Sequence, residues 1–227
     1  MRFCIRFKLF LFSGILSSFT TLAQYDPGAT ASLGIGHGYT ALSQSVMRNT
    51  FNSNSKSTVK AGQVDYVYLG SGDYSGFEEK ITRAMMSANK GNDRTKIRNF
   101  LSSARTMHQF TMRSRAFGLK DTYLSDILAT GIAWNWEMYH QTKASKQKVV
   151  EFRNAIKANL VKDGVKNEVF KLSAEEKKTW ILSFMYNNSM LAQTIKQSGK
   201  ISTLHKQQLA QTAKEAGIAD IASVSLK

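Results

Sequence analysis

The sequence of 227 residues contains a single cysteine, Cys4, and a single proline, Pro27. Cys4 lies in an N-terminal segment that we expect to be removed, so the mature chain would have no disulfide, no thiolate nucleophile and no thiolate metal ligand. The near absence of proline permits long helices without interruption. The mature chain would therefore depend on side-chain packing for its stability, and its length is sufficient to bury one core of ordinary domain size.

The N-terminus has the three-part pattern of a secretory signal peptide. Three basic residues precede an apolar run at positions 9–16, and the small residues Thr21 and Ala23 fit a signal peptidase site. We expect residues 1–23 to be the signal peptide and the mature protein to be periplasmic or secreted. The apolar run is shorter than the ~20 residues of a membrane-spanning helix, so no transmembrane anchor is expected after cleavage.

The mature chain is strongly basic. The full sequence has 31 Lys and Arg against 16 Asp and Glu, and removal of the signal peptide leaves 28 basic residues, for a net charge of +12. Such a charge favours binding to anionic polymers, although lysines on helices are commonly only the solvated face. The lysines that could form an anion-binding face are Lys143, Lys146, Lys148, Lys157, Lys177 and Lys178.

The composition changes along the mature chain. Residues 24–74 form a lead whose first part, to about residue 54, is rich in Gly, Ser, Thr and Asn. That composition predicts a flexible segment, and residues 64–69 have strand-like side chains that we expect to lie extended against helices. Residues 75–227 form the predicted helical domain. The predicted fold class is all-α, a single compact bundle of about five to six helices with a flexible Gly/Ser-rich N-terminal lead.

Apolar residues recur at helical spacing after position 74, which predicts successive amphipathic helices. A capping box of Ser75 and Glu78 opens the first helix, and we expect the second to run from near Asp93 to Gly118. The apolar stripes of these two helices are Phe77, Ile81, Ala84, Met85 and Ala88, and then Ile97, Leu101, Ala104 and His108.

The third predicted helix is apolar nearly all round, which is typical of a buried helix. We expect Asp121 to be its N-cap and Gly131 to let a neighbouring helix approach closely. A fourth helix follows and stops at Asp163–Gly164. Its apolar stripe is Val149, Phe152, Ile156 and Leu160.

Start and stop signals bound the last two predicted helices, and the tail through Leu226 is expected to pack back onto the domain. These signals are a capping box of Ser173 and Glu176, a stop at Gly199, an N-cap at Ser202 and a Schellman stop at Gly217 and Ile218.

Glu137 and His140 form an E-x-x-H pair on the central helix, the spacing with which one helix offers two ligands to a di-iron site. Such a site needs a second pair, which the sequence lacks, so we predict no metal and no cofactor. Trp136, Tyr139 and His140 are candidate binding residues in the same aromatic cluster. The glycine-rich stretch at 70–76 has the wrong spacing for a phosphate-binding loop, and no G-x-S-x-G motif indicates a serine hydrolase.

Glu137 is also the one catalytic candidate. Aromatic neighbours raise the pKa of a carboxyl group, as in the acid of a glycosidase, but no second carboxylate is identifiable at the required distance. Asp121 and Asp126 lie at least two turns away on the same helix. Glu137 as the acid of a peptidoglycan hydrolase is therefore an alternative, and packing of core aromatics is the simpler explanation of the cluster.

Several short motifs occur along the chain: Gly118–Leu119, Asp126, Ala133–Trp134, Gly217–Ile218 and Leu226. Together they resemble the motifs of a family of secreted bacterial helical proteins whose domain is of unknown function. The resemblance covers about residues 75–227. It implies an exported helical domain and transfers no catalytic residue.

Taken together, the sequence favours a noncatalytic exported module that binds an envelope protein or an anionic envelope polymer. An inhibitor or immunity-type protein of the periplasm is one version of this function. The alternative is the peptidoglycan-active hydrolase using Glu137. Nucleic acid is a disfavoured partner because the protein would be exported, although its charge permits salt-sensitive binding.

Overall fold

The structure is a computed structural model that describes residues 62–88, 105–161 and 173–227, together with the isolated residues 95, 98, 99 and 102. The predicted signal peptide, most of the predicted lead and the predicted Asp163–Gly164 stop lie outside the described residues. The helices are α1 (Gly62–Asp65), α2 (Ser71–Ala88), α3 (Thr106–Phe117), α4 (Leu124–His140), α5 (Lys146–Leu160), α6 (Ala174–Ser198) and α7 (Thr203–Glu215), followed by a 3₁₀ turn at Ile221–Ser223.

The all-α fold class is confirmed: the helices form one compact bundle, and the described ranges contain no strand beyond an isolated bridge between Tyr66 and Tyr123. Within these ranges no helix combines the length and the apolar character needed to cross a membrane.

Helix α4 is the centre of the bundle, as its sequence predicts. Every residue from Leu124 to Ala133 is buried, and α3, α5, α6, α7 and the 3₁₀ turn all pack against it. A Cβ added at Gly131 would overlap the ring of Phe184 on α6. The glycine therefore provides the space that this helix pair needs, and the prediction of a close approach at Gly131 is confirmed.

Local sequence signals correctly bound α6 and α7. The Ser173 hydroxyl accepts from the Glu176 amide, and the Glu176 carboxylate accepts from the Ser173 amide, which completes the capping box. Gly199 ends the helix with a positive φ of 68°. The Ser202 hydroxyl caps α7 in the same way by accepting from the His205 amide.

The predicted Schellman stop after α7 is also present. The Ile218 amide donates to the Ala213 carbonyl at 2.9 Å, and the Gly217 amide donates to the Lys214 carbonyl at 3.0 Å. Gly217 has φ 90°, a conformation that favours glycine. The chain then turns back, and Leu226 is buried against the core as expected.

The prediction of a capping box at Ser75 is wrong. Helix α2 begins four residues earlier, at Ser71, and the Ser75 hydroxyl donates to helix carbonyls, including that of Ser71. Glu78 accepts instead from the backbone amide of Met107 at 2.8 Å. The carboxylate thus supplies a partner to a backbone amide in the first turn of α3 that has no acceptor within the helix, which a local pattern cannot reveal.

Asp121 is likewise not the N-cap of α4. Tyr123 occupies that position without a side-chain cap. The Asp121 carboxylate accepts from the hydroxyls of Tyr74 at 2.9 Å and Thr111 at 2.7 Å, and so joins the loop before α4 to α2 and α3. A tertiary contact has replaced the expected local one.

The predicted second helix is interrupted at Arg105, which has φ 44° and ψ 50° in the left-handed region. Helix α3 begins after it, and its buried residues are Thr106, Met107, Phe110, Ser114 and Phe117. His108, the last residue of the predicted stripe, is exposed, and the other residues of that stripe lie outside the described residues. The Gly118 stop is confirmed.

The segment at 64–69 is only partly extended. Val64 and Asp65 belong to α1, and the chain is extended from Tyr66. The Val67 amide donates to the Thr122 carbonyl at 2.9 Å, and Val64 and Val67 are buried in the core. This part of the predicted lead is therefore packed against the loop that enters α4.

Candidate functional site

Glu137, the catalytic candidate, lies in the last full turn of α4 and is 8% exposed. One carboxylate oxygen is ion-paired with the guanidinium of Arg113 on α3, and the other accepts from the backbone amide of Ala144 at 2.9 Å. The backbone carbonyl of Glu137 also accepts from Thr142 in the turn toward α5. The Glu137 side chain thus links α3, through Arg113, to the turn between α4 and α5, through Ala144.

Arg113 is enclosed by the same contacts. Its guanidinium carbon lies 4.4 Å from the centroid of the Phe117 ring, and its side chain is 19% exposed. Burial lowers the pKa of Arg113 from its ordinary value, but an arginine remains charged at neutral pH because its reference pKa is so high. The pair with Glu137 is therefore a buried structural ion pair.

The two members of the E-x-x-H pair have different partners. His140 Nε2 lies 3.4 Å from the carbonyl oxygen of Ile221 in the 3₁₀ turn, whereas Glu137 is ion-paired with Arg113. Within the described ranges, no three His, Cys, Asp or Glu side chains are grouped so that they could hold a metal ion. The geometry of Glu137 and His140 is that of two separate structural contacts.

The aromatic binding candidates differ in accessibility. Trp136 is 3% exposed, and its Nε1 donates to the Val224 carbonyl at 2.6 Å, so it anchors the C-terminal tail. Tyr139 is half-buried, and the Nζ of Lys206 on α7 lies 5.4 Å from its ring centroid. Of these two aromatic rings, only that of Tyr139 offers a surface that a partner could contact.

A cavity of about 270 Å³ lies between α3, α4 and α6. The sequence did not predict it. Trp134 and Met138 share a face of α4 at i and i+4, and that spacing was the available signal. The sequence does not show which residues of α6 face them, because that depends on how the two helices pack. The lining residues are Gln109, Trp134, Met138, Ser189, Ala192, Gln193, Ile195 and Lys196.

The fold and these contacts define an all-α bundle with a buried ion pair, a half-open cavity and many exposed lysines. The chain matches no protein-family model, no curated protein and no solved structure. The resemblance to a secreted bacterial family thus stays a prediction, and function is argued from the geometry alone.

Proposed function

We propose that the protein is an exported, noncatalytic helical module that binds an anionic component of the cell envelope through exposed lysines. The observation that carries this proposal is a separation of charge. Every aspartate and glutamate in the described ranges has a hydrogen-bond or ion-pair partner within the chain, whereas many exposed lysines have no carboxylate partner there. The excess positive charge is therefore directed to the surface.

Buried acids illustrate how the negative charge is used. Asp65 accepts from the amide and the hydroxyl of Ser125, at 2.7 and 2.8 Å. Asp126 accepts from the Lys120 amide at 2.8 Å and is ion-paired with Arg153 at 3.1 Å. These carboxylates satisfy backbone amides and cations of the bundle, and so contribute little negative potential at the surface.

The surface that we call the basic corner consists of Tyr139, Lys143, Lys146 and Lys206. Lys143 and Lys146 are exposed at the α4–α5 turn, and exposed Lys206 on α7 lies over the ring of Tyr139. Within the described ranges, none of these three lysines has a carboxylate partner. A phosphate or carboxylate polymer would meet several cations and one aromatic ring at this corner.

Other predicted lysines are less suited to this role. Lys148, Lys157 and Lys178 are ion-paired with Glu151, Asp65 and Asp73, respectively. Lys177 is only partly accessible, and burial lowers its pKa. Of the six lysines singled out in the sequence, we therefore keep Lys143 and Lys146 in the proposed binding surface. Lys206 and Tyr139 complete the basic corner.

The alternative, a hydrolase using Glu137, receives no support from this geometry. A general acid needs a proton to give and access to substrate, whereas this carboxylate is ion-paired, accepts from the Ala144 amide and is almost fully buried. A direct assay separates the two functions: clearing of purified peptidoglycan by the wild-type protein, abolished in Glu137→Gln, would establish the hydrolase and overturn the proposal.

The proposal is tested by a pull-down from envelope extracts with the immobilised mature protein. We expect an anionic polymer or lipid to be recovered at low salt, with less recovered as salt increases. The triple variant Lys143→Gln, Lys146→Gln, Lys206→Gln should recover several-fold less. Recovery of nothing at either salt concentration, or equal recovery by the triple variant, would contradict the proposal.

A matched control removes the same charge elsewhere. Lys80 on α2, Lys120 in the loop before α4 and Lys214 at the end of α7 are exposed and do not belong to the basic corner. Changing these three to Gln gives a protein of identical net charge, so a loss confined to the first variant shows that the basic corner is the binding surface. An equal loss in both variants would show binding by net charge alone.

A further inference from the structure

We propose that the cavity between α3, α4 and α6 binds a small aromatic monocarboxylate that carries a hydroxyl group at the end opposite its carboxylate. This site is separate from the basic corner and does not depend on the proposed function. Its volume of about 270 Å³ is near the lower end of the roughly 300–1,000 Å³ of small-molecule pockets. The expected ligand is correspondingly small.

The walls of the cavity suit an aromatic body. Trp134 and Met138 come from α4, and Ala192 and Ile195 come from α6. All four are partly exposed, so apolar surface faces the open space between the helices. An aromatic ring placed against an indole and a thioether gains apolar burial and favourable ring contacts.

The floor of the cavity has an unsatisfied polar atom. Ser189 is the only fully buried lining residue, with 0% exposure, and its Oγ has no hydrogen-bond partner. Serine in a helix commonly satisfies its hydroxyl on a carbonyl of the preceding turn. A buried hydroxyl left unpaired is unfavourable, and a ligand hydroxyl at this position would both accept from it and donate to it.

The rim of the cavity is polar and positively charged. Gln109 on α3 and Lys196 on α6 are the exposed lining residues, and Lys196 has no carboxylate partner within the described ranges. A carboxylate at the mouth would pair with the Lys196 ammonium and accept from the Gln109 amide. Apart from Gln193, one turn from Ser189 on α6, the cavity is apolar between these two polar ends, which gives the order of groups in the ligand.

Three probes that differ by one group each test this order. They are 4-hydroxyphenylacetate, phenylacetate, which lacks the hydroxyl, and 4-hydroxyphenylethanol, which lacks the charge. Binding is followed by amide NMR titration of the full mature chain, with the Trp134 indole resonance identified from Trp134→Phe. We expect the first probe to bind several-fold more tightly than either of the others and to shift the Trp134 indole.

Variants assign each preference to a residue. Lys196→Met should weaken both carboxylates by about two- to fivefold, as expected for a partly exposed ion pair, and leave 4-hydroxyphenylethanol unchanged. Ser189→Ala should weaken only the hydroxylated probes. Ala192→Trp should fill the cavity and abolish all binding, whereas Lys200→Met, beyond the end of α6, is the charge-matched control and should change nothing.

The variants are compared only where their amide spectra show the native fold. Failure of all three probes to shift the cavity resonances of the wild-type protein would overturn the proposal. So would equal affinities for the three probes, or binding unaffected by both Lys196→Met and Ser189→Ala.

Discussion

At the scale of single residues, we expect the change from glycine to alanine to have opposite effects on stability at Gly131 and at Gly76. A methyl group at Gly131 would overlap Phe184, whereas nothing lies within 4 Å of the position that a Cβ would take at Gly76 in α2. We expect Gly131→Ala to lower the free energy of unfolding by about 1–3 kcal/mol through overpacking. Gly76→Ala should raise it by up to about 1 kcal/mol through helix propensity.

Urea unfolding monitored by circular dichroism measures both changes on one scale. If the two variants gained stability alike, the close contact between α4 and α6 at Gly131 would be contradicted.

The Arg113–Glu137 pair gives the second residue-scale prediction. Glu137→Gln keeps an oxygen for the Ala144 amide but leaves the Arg113 guanidinium buried without its counter-charge, which should cost about 3 kcal/mol of unfolding free energy. The control Glu151→Gln removes an exposed partner of Lys148 and should leave stability almost unchanged. The variants are compared by urea unfolding. Equal changes in the free energy of unfolding would mean that the buried pair stabilises the fold no more than the exposed one.

The sequence identified Glu137 as unusual but not its role. Aromatic residues around a carboxylate on a buried helix were readable from helical spacing. The cation was not readable, because Arg113 lies on a different helix and reaches Glu137 only after α3 packs against α4. The contact of Trp136, another candidate residue, was unreadable for a similar reason, since its indole donates to a backbone carbonyl in the tail.

At the scale of elements, the C-terminal tail is part of the core. Ile221, Val224 and Leu226 are buried, the Ser145 amide donates to the Leu226 carbonyl at 2.7 Å, and Trp136 donates to that of Val224. We expect Leu226→Ala to cost about 2–3 kcal/mol, as for other large-to-small core changes. The exposed neighbour Ser225→Ala should have little effect.

Thermal unfolding of these two variants checks the prediction, together with a truncation after Asp220. The truncated chain should unfold at a much lower temperature than the full chain. An unchanged midpoint would show that the tail is not needed by the bundle.

Helix boundaries show which local signals could be trusted. The capping box at Ser173 and the glycine stops at Gly118, Gly199 and Gly217 were predicted correctly, because each depends only on neighbours in the chain. The polar side chains of Ser75 and Asp121 were assigned wrongly. Asp121 makes tertiary contacts that are invisible in one sequence. At the observed start of α2 the contact is local, because the Gly70 amide donates to the Asp73 carboxylate at 2.9 Å, and this signal was missed.

At the scale of the whole molecule, the buried carboxylates Asp65, Asp126 and Glu137 are used for internal contacts, and much of the basic excess is exposed. The high net charge was plain from composition, and the all-α class followed from helical periodicity. Their combination was not predictable, because the ion pairs that neutralise Lys157, Lys178 and Arg153 join residues far apart in the sequence. Within the described ranges, Lys143, Lys146 and Lys206 of the basic corner are among the exposed lysines left without a carboxylate partner after these pairs are formed.

The most direct test of this account is the affinity of the protein, prepared without residues 1–23, for phosphatidylcholine vesicles with and without phosphatidylglycerol, measured by co-sedimentation over a range of salt concentrations. We expect binding only to the anionic vesicles, declining as salt rises, and a several-fold weaker affinity for the Lys143, Lys146 and Lys206 to Gln variant than for its charge-matched control. Equal binding to neutral vesicles, or equal affinity of the two variants, would contradict the assignment of the basic corner.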